Sequence, residues 1–522
     1  MKPFQPKTLA LGLLAAFPAL AAYAQVNQVS LTVDASHPGA VINKDVYAQF
    51  AEHLGSGIYG GMWVGPDSKI PNVRGWRKDV VGALRDLHVP LVRWPGGCFA
   101  DEYHWRDGIG ARDKRPVKVN TNWGGVPESN AVGTHEFFDL VDQIGADAYV
   151  NANLGTGTPQ EASEWIEYMT SKGKSSLAEL RAKNGHPAPF KVKYYAIGNE
   201  SWGCGGNMRP EYYVDLYKHW NTFIKAPHEL RPQMIASGGT GADTTWTNVL
   251  SRDLKGQTDA ISFHYYTLPT GEWKVKGAAT GFPESQWLST MANTLQMEKF
   301  IQSHTAVLDR NDPEKKIAFD VDEWGTWYDV EPGTNPGFLY QQNTLRDAVV
   351  AALNFNIFHE HADRVRMTAI AQMVNVLQAM ILTDQDKMLL TPTYYAFQMY
   401  VPFQGATSLP VLLANNAAYS VGAGGKSVPG ISASAARGKD GKTYVALVNT
   451  NPHDATDVVL NVAGQNVGAV HGQVLTADAM DARNTFDHKD AVKPAPFSAN
   501  ASGGKLTIKV PAKAVMVLAV EG

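Results

Sequence analysis

The stretch Lys193-Tyr194-Tyr195-Ala196-Ile197-Gly198-Asn199-Glu200-Ser201-Trp202-Gly203 decides the fold. Its first half is a short, nearly continuous apolar run, the pattern of a strand buried on both faces. Its second half is a glycine turn carrying a carboxylate beside a tryptophan. The same design recurs upstream and downstream. Short strands are predicted at Tyr47–His53, Pro90–Trp94, Ala148–Leu154, Lys193–Gly198, Met234–Gly238, Ala260–Tyr265, Ile317–Asp322 and Met367–Met373. Amphipathic helical stretches lie between them, among them Trp76–Leu87, His135–Ile144, Gln160–Thr170, Glu211–Ile224, Glu284–Ser303 and Gln341–His361. One helix start is well signed: Thr158 as N-cap, Pro159 at the first position and Glu161 at the third make a capping box. Buried strands alternating with helices predict an α/β fold, a (β/α)8 TIM barrel over residues 45–398. A doubly wound open sheet is the competing arrangement, but no glycine-rich dinucleotide fingerprint follows the first strand.

Beyond residue 399 the helical period disappears. Lys442–Asn449, Asp457–Val462, Gly472–Ala477, Lys505–Val510 and Ala514–Val520 alternate with turns such as Lys439-Asp440-Gly441-Lys442. Residues 399–522 are therefore predicted to form an all-β sandwich domain, jelly-roll-like. Residues 25–44 precede the barrel, and the strand-like piece Gln28–Val33 within them is expected to join that sandwich. Residues 1–24 read as an export signal: Lys2 and Lys7, an apolar run from Thr8 to Ala22, then Ala22-Tyr23-Ala24 as a cleavage site. The expectation is a protein exported to the periplasm or the medium.

Composition narrows the function. Of 522 residues, 44% are hydrophobic and 18% charged, with a net charge of −4. That is a globular chain with no field to attract nucleic acid or an anionic membrane. Only Cys98 and Cys204 are present, so no disulfide framework holds the fold and no paired-cysteine zinc site exists. His359-Glu360-His361 resembles a metal motif, but residues two apart face different sides of a helix. A place near a helix C-terminus suits it better. No serine-hydrolase elbow is present, and Gly424-Gly425-Lys426-Ser427 lacks the first glycine of a phosphate loop.

In a barrel of this type chemistry sits where strands end. The strand ends carry Glu52, Arg93 followed by Gly96-Gly97-Cys98, Asn199-Glu200, His264 and Tyr266, Glu323-Trp324 with Trp327 beyond it, and Gln372. Two carboxylates on separate strands, each beside a tryptophan, are what glycosidic bond cleavage requires. Glu200 and Glu323 are the candidate catalytic pair. A metal is not called for.

These segments closely resemble the α-L-arabinofuranosidases of glycoside hydrolase family 51. The matching runs include Phe50-Ala51-Glu52-His53-Leu54-Gly55, Arg93-Trp94-Pro95-Gly96-Gly97, Tyr103-His104-Trp105, Gly198-Asn199-Glu200, Asp322-Glu323-Trp324 and Ala371-Gln372-Met373-Val374-Asn375-Val376. The likeness spans the mature chain and is strongest over 46–400. It implies a retaining, exo-acting enzyme without a cofactor, acting on arabinose-containing plant polysaccharides and oligosaccharides, and a homo-oligomer. It implies Glu200 as acid/base and Glu323 as nucleophile. Asn199 would bind the sugar 2-hydroxyl, Glu52 and Gln372 would hold the furanose, and Arg93 and Tyr266 would stand beside the nucleophile, with His264 a further substrate-binding candidate. Trp327 would form a wall. Cys98, where many members carry Asn, would contact the sugar. Alternatives on the same fold are a β-xylosidase or endoglucanase, distinguished by an open cleft in place of a closed pocket, and a non-catalytic sugar-binding protein. A Cys98–Cys204 bridge is geometrically possible, because both loops point into one mouth. Two free thiols are the favoured expectation, since a bridge would tie down loops that shape the pocket.

Overall fold

The computed structural model describes residues 28–422 and 425–521. The expected export signal at 1–24 lies outside them. Eight parallel strands close into a barrel: Ala48–Phe50, Leu91–Trp94, Asp147–Ala152, Val192–Ile197, Gln233–Ala236, Ala260–Thr267, Ala318–Thr326 and Thr368–Ile370. They are called barrel strands one to eight below, and each pairs with its sequence neighbour around the ring. All eight fall where the apolar runs predict them. The open-sheet alternative is excluded by the pairing of strand eight with strand one, Ala369 to Ala48.

Inside the ring the side chains are small, aliphatic or aromatic: Ala48, Phe50, Leu91, Tyr149, Tyr194, Ala196, Ile235, Ala260, Ala318 and Ala369 make one buried cluster. Outside, the alternate strand residues meet the helices. Trp94, for example, stacks on Phe137 of the helix Thr134–Ile144 at 4.8 Å. Arg93, between the inward Leu91 and the strand end, therefore points up the axis.

Strand seven breaks this alternation. Against strand six, Ser262 pairs with Asp320 but His264 pairs with Glu323, so strand seven carries one extra residue. Against strand eight the same shift falls between Val321 and Trp324. A bulge of this kind re-aims side chains. Here it lets two consecutive residues, Asp322 and Glu323, both reach the groups inside the mouth.

The helix after strand three begins as expected at Thr158, whose side chain accepts from the Glu161 amide, with Pro159 in the first position. The returning half of the capping box is not made. The Glu161 carboxylate instead takes His104 Nδ1 at 2.9 Å, tying the loop after strand two to this helix.

The C-terminal strands form two sheets around a second core. Val29–Val33 pairs with Thr456–Val462 on one side and Val411–Ala414 on the other. The sandwich packs directly on the helix Leu345–Glu360. His359 sits buried in that seam, bonded to Tyr47 at 2.6 Å and to Ser434 at 3.0 Å. Burial pushes it down to about 3, so the imidazole is a neutral hydrogen-bonding strut. His361 caps the same helix and contacts Glu298. The two histidines diverge, as their spacing predicts. Among the described residues no helix is long and apolar enough to cross a membrane.

Candidate functional site

The sequence-predicted residues converge at the C-terminal mouth of the barrel. Arg93 is fully buried and organises it. Its Nη1 donates to Glu323 Oε1 at 2.8 Å and its Nη2 to Asn199 Oδ1 at 2.6 Å. The guanidinium lies over Phe50 and Tyr149. The Tyr266 hydroxyl donates to the other Glu323 oxygen at 2.7 Å. Burial, then the Glu323 charge, raises the Tyr266 phenol well above its ordinary range, so it stays a donor.

His264 bridges the two candidate carboxylates. Its Nδ1 is 2.8 Å from Glu200 Oε1 and 3.4 Å from Glu323 Oε2, and its Nε2 is 3.0 Å from Asp322 Oδ1. Burial alone would lower His264. The charges of Glu323 and Asp322 outweigh it and raise the imidazole to about 10. It is therefore doubly protonated at neutral pH, donating from Nδ1 to Glu200 and forming an ion pair through Nε2 with Asp322. An oxygen of Glu200 and one of Glu323 lie within 4.8 Å of each other. The donor set does not suit a cation. A protonated imidazole has no free lone pair, Arg93 already neutralises Glu323, and the sulfurs near Glu200 are joined to each other.

Glu52, at the end of strand one, accepts from the Gly97 and Phe99 amides at 2.9 and 3.1 Å and from Gln372 Nε2 at 2.9 Å. Burial and then Glu323 raise its carboxyl. The glycine pair after strand two is needed for this approach. A Cβ on Gly96 would stand 2.7 Å from Glu52 Cγ, and one on Gly97 would stand 2.7 Å from Glu323 Oε1. Together Glu52, Gly97, Cys98, Glu200, Tyr266, Glu323, Trp327 and Gln372 line a narrow cavity of about 60 Å³, completed by Leu54, Trp123, Leu339 and Leu377.

Glu200 itself takes φ +41°, a left-handed conformation uncommon for a residue other than glycine. Its turn is fastened from below by Asp101, which sequence reasoning missed. Asp101 Oδ2 accepts from the Asn199 amide, and Oδ1 from the Leu154 and Gly155 amides. One buried carboxylate thus joins the loops after strands two, three and four. Asp101→Ala would leave three buried N–H groups without their acceptor. It is expected to cost about 3 kcal/mol in urea unfolding and to lower kcat well before the protein unfolds.

The expectation of free thiols is corrected. Cys98 and Cys204 are joined in a disulfide with their Cα atoms 5.6 Å apart, within the ordinary span of such a bond. The loops after strands two and four already meet over Asp101, and Gly205 packs against Asn199 with no room for a Cβ. Bridging them therefore costs no pocket mobility. Cys98 lines the pocket as a disulfide sulfur and not as a thiol donor. The Cys204 sulfur lies 3.5 Å from Glu200 Oε2.

A parallel barrel with two carboxylates facing one small pocket at its C-terminal mouth defines a glycoside hydrolase. Comparison with known proteins is more specific. The Alpha-L-arabinofuranosidase 1 domain matches residues 83–283, and the Alpha-L-arabinofuranosidase C-terminal domain matches residues 322–514. An intracellular exo-α-L-arabinofuranosidase of Bacteroides ovatus is 48% identical over 493 residues, covering 94% of this chain and 95% of its own. The crystal structure of the GH51 arabinofuranosidase from Xanthomonas axonopodis pv. citri superposes with a TM-score of 0.93 at 50% identity, over 95% of this chain and all of that one. An α-L-arabinofuranosidase from Thermotoga maritima, solved with arabinose, superposes at 0.81 and 29% identity, over 95% of this chain and all of that one. The chain belongs to the α-L-arabinofuranosidases of glycoside hydrolase family 51. The expectation of export does not stand: the Bacteroides ovatus relative is named an intracellular enzyme.

Proposed function

We propose that the protein is an exo-acting, retaining α-L-arabinofuranosidase that releases terminal arabinofuranosyl residues from arabinan, arabinoxylan and their oligosaccharides. The observation that carries this reading is the approach of Glu200 and Glu323 to within 4.8 Å across a small pocket. Retaining enzymes hold their carboxyls at about 5–5.5 Å, leaving no room for a water between them. A pocket this small, walled by Trp123, Trp327, Leu339 and Leu377, suits one terminal sugar better than the middle of a chain, which favours the exo reading over the endoglucanase alternative.

In this mechanism Glu323 attacks the anomeric carbon while Glu200 protonates the leaving oxygen. Arg93 and the Tyr266 hydroxyl hold Glu323 by separate oxygens and fix its line of attack. His264 donates to Glu200 Oε1, which leaves Oε2 to carry the acid proton. Departure of the leaving group gives a covalent arabinosyl-enzyme on Glu323. Glu200, now a carboxylate, takes a proton from water, and the hydroxyl oxygen displaces Glu323 with net retention. Arg93 donates to Asn199 Oδ1 alone, and the amide nitrogen meets only the weakly accepting Cys204 sulfur at 3.9 Å. Asn199 Nδ2 is therefore left to donate to a sugar hydroxyl, and Glu52 with Gln372 holds the far side of the ring.

The test is hydrolysis of p-nitrophenyl α-L-arabinofuranoside against the β-D-xyloside and β-D-cellobioside, with the anomer of the first product followed by proton NMR. The expected result is preference for the arabinofuranoside and first release of the α-anomer. Preference for either other glycoside, or release of the β-anomer, would defeat the reading.

A further inference from the structure

Part of the apolar wall of the small pocket comes from loops and not from strands. Trp123 lies on the loop after strand two, Leu339 on the loop after strand seven and Leu377 on the loop after strand eight. Leu339 and Leu377 are tied to each other, since the Leu377 amide donates to the Leu339 carbonyl at 2.9 Å. Trp123 is held on its near side by hydrogen bonds. Its amide donates to Asn120 Oδ1 at 2.9 Å, and the neighbouring Asn122 Nδ2 donates to the Cys98 carbonyl at 3.2 Å. Beyond Trp123 the chain meets the loop after strand seven at Phe338.

Phe338 ends a short turn, Pro336–Phe338, that is pinned at its start. Asn335 Oδ1 accepts from the Gly337 amide at 2.9 Å, and the Asn335 carbonyl accepts from the Phe338 amide at 3.0 Å. The next residue, Leu339, takes φ +50°. A left-handed leucine is uncommon and persists only where its surroundings impose it. Leu339 lines the pocket, while Phe338 lies between two other loops. A Cβ on Gly124 would stand 2.8 Å from Phe338 Cε1, and one on Gly55 would stand 2.9 Å from Phe338 Cβ. Both glycines have positive φ, +52° at Gly55 and +78° at Gly124, so conformation and close approach both require them. Phe338 thus sits where the loops after strands one, two and seven meet. Trp123 and Leu339 are each one residue from that contact.

We infer that Phe338 is a positioning residue that sets the width of the sugar pocket, holding Trp123 and Leu339 at the spacing one furanose ring fills. This inference rests on the function proposed above. Phe338 does not itself line the pocket, so it acts through its neighbours. Removing a ring from a packed junction leaves a space into which the surroundings relax in part. The tip Gly124-Gly125 is exposed and is the part free to move, and it carries Trp123 with it. Arg93, Glu200 and Glu323 belong to the ends of strands two, four and seven, so the wall shifts while the reacting groups stay. A wall contact serves the ground state and the transition state alike, and its loss is read in KM and not in kcat.

The experiment measures p-nitrophenyl α-L-arabinofuranoside and β-D-xylopyranoside, which share a leaving group and differ in carrying a furanose or a pyranose ring. For Phe338→Ala, KM for the arabinofuranoside is expected to rise about tenfold, with kcat within about threefold of wild type. The preference for the arabinofuranoside should narrow by at least about the same factor, because a wider pocket grips the furanose less and admits the pyranose better. Phe338→Leu keeps a side chain in the junction and should recover most of the loss. Gly124→Ala should reproduce the effect from the other side of the contact, and it carries the test if Phe338→Ala does not fold. A folded Phe338→Ala with unchanged KM and unchanged preference would overturn the inference. So would a loss of kcat shared equally by both glycosides, which would make Phe338 a support of the fold alone. Neither result touches the arabinofuranosidase reading. A wild-type protein with no preference for the arabinofuranoside would sink that reading instead.

Discussion

Glu323→Ala is expected to lose activity by a factor on the order of 10⁴ to 10⁶, with an unchanged far-UV circular dichroism spectrum. No other carboxylate can replace it. Glu52 is buried on the far side of the pocket and is committed to two amides and Gln372. Asp322 is committed to Tyr149 and His264. The covalent intermediate therefore cannot form. The variant leaves a space still lined by the Arg93, Tyr266 and His264 donors, which is a ready site for a small anion. Azide added with an aryl arabinofuranoside is expected to restore turnover in part and to yield the β-configured arabinosyl azide, because it attacks from the face Glu323 occupied. Glu323→Gln keeps the shape without the charge and should be inactive and not rescued. Near-normal activity in Glu323→Ala, or an α-configured azide, would move the nucleophile to another residue.

The barrel was legible because its eight strands are buried on both faces, and a run such as Tyr195-Ala196-Ile197 has few other uses. The site was legible in part because every barrel strand delivers its end to one rim, so Glu52, Arg93, Asn199, Glu200, His264, Tyr266, Glu323 and Gln372 could be collected without knowing any distance. What was not legible depends on contacts between loops. Asp101 sits in a short turn with no periodic pattern, and its partners are backbone amides 53 to 98 residues away, which no side-chain pattern marks. Trp123 and Phe338 also lie on irregular segments, where an aromatic residue signals nothing until its neighbours are known. The strand-seven bulge is invisible for a related reason. A strict two-residue alternation sends Asp322 and Glu323 to opposite faces, and only the pairing of Ser262 with Asp320 and His264 with Glu323 shows the extra residue. The disulfide is not legible because it depends on how still two distant loops are, and Asp101 fixes both through backbone amides. Only half of the capping box at Thr158 forms, since the Glu161 carboxylate is taken by His104 from another loop.

Glu200→Ala is expected to separate the two halves of the reaction. With a natural oligosaccharide the leaving alcohol needs a proton, and its loss should be about 10²- to 10⁴-fold in kcat/KM. With a p-nitrophenyl or dinitrophenyl arabinofuranoside the leaving phenolate departs unaided, so kcat/KM should fall far less. Hydrolysis of the arabinosyl-enzyme then lacks its base, and a burst of phenolate followed by a slow steady state is the expected trace. Azide needs no base to attack. It should accelerate the second step and give the α-configured azide, the opposite outcome to Glu323→Ala. The pH profile supplies a further check, because loss of the acid/base should remove the limb of kcat/KM that its proton controls. His264 remains in this variant with Asp322 and Glu323 as partners. Its charge therefore persists, and the nucleophile keeps its setting. That is why the first step with an aryl substrate should survive. Equal loss for alkyl and aryl leaving groups would contradict the assignment, since it would mean that Glu200 holds the sugar and does not move a proton.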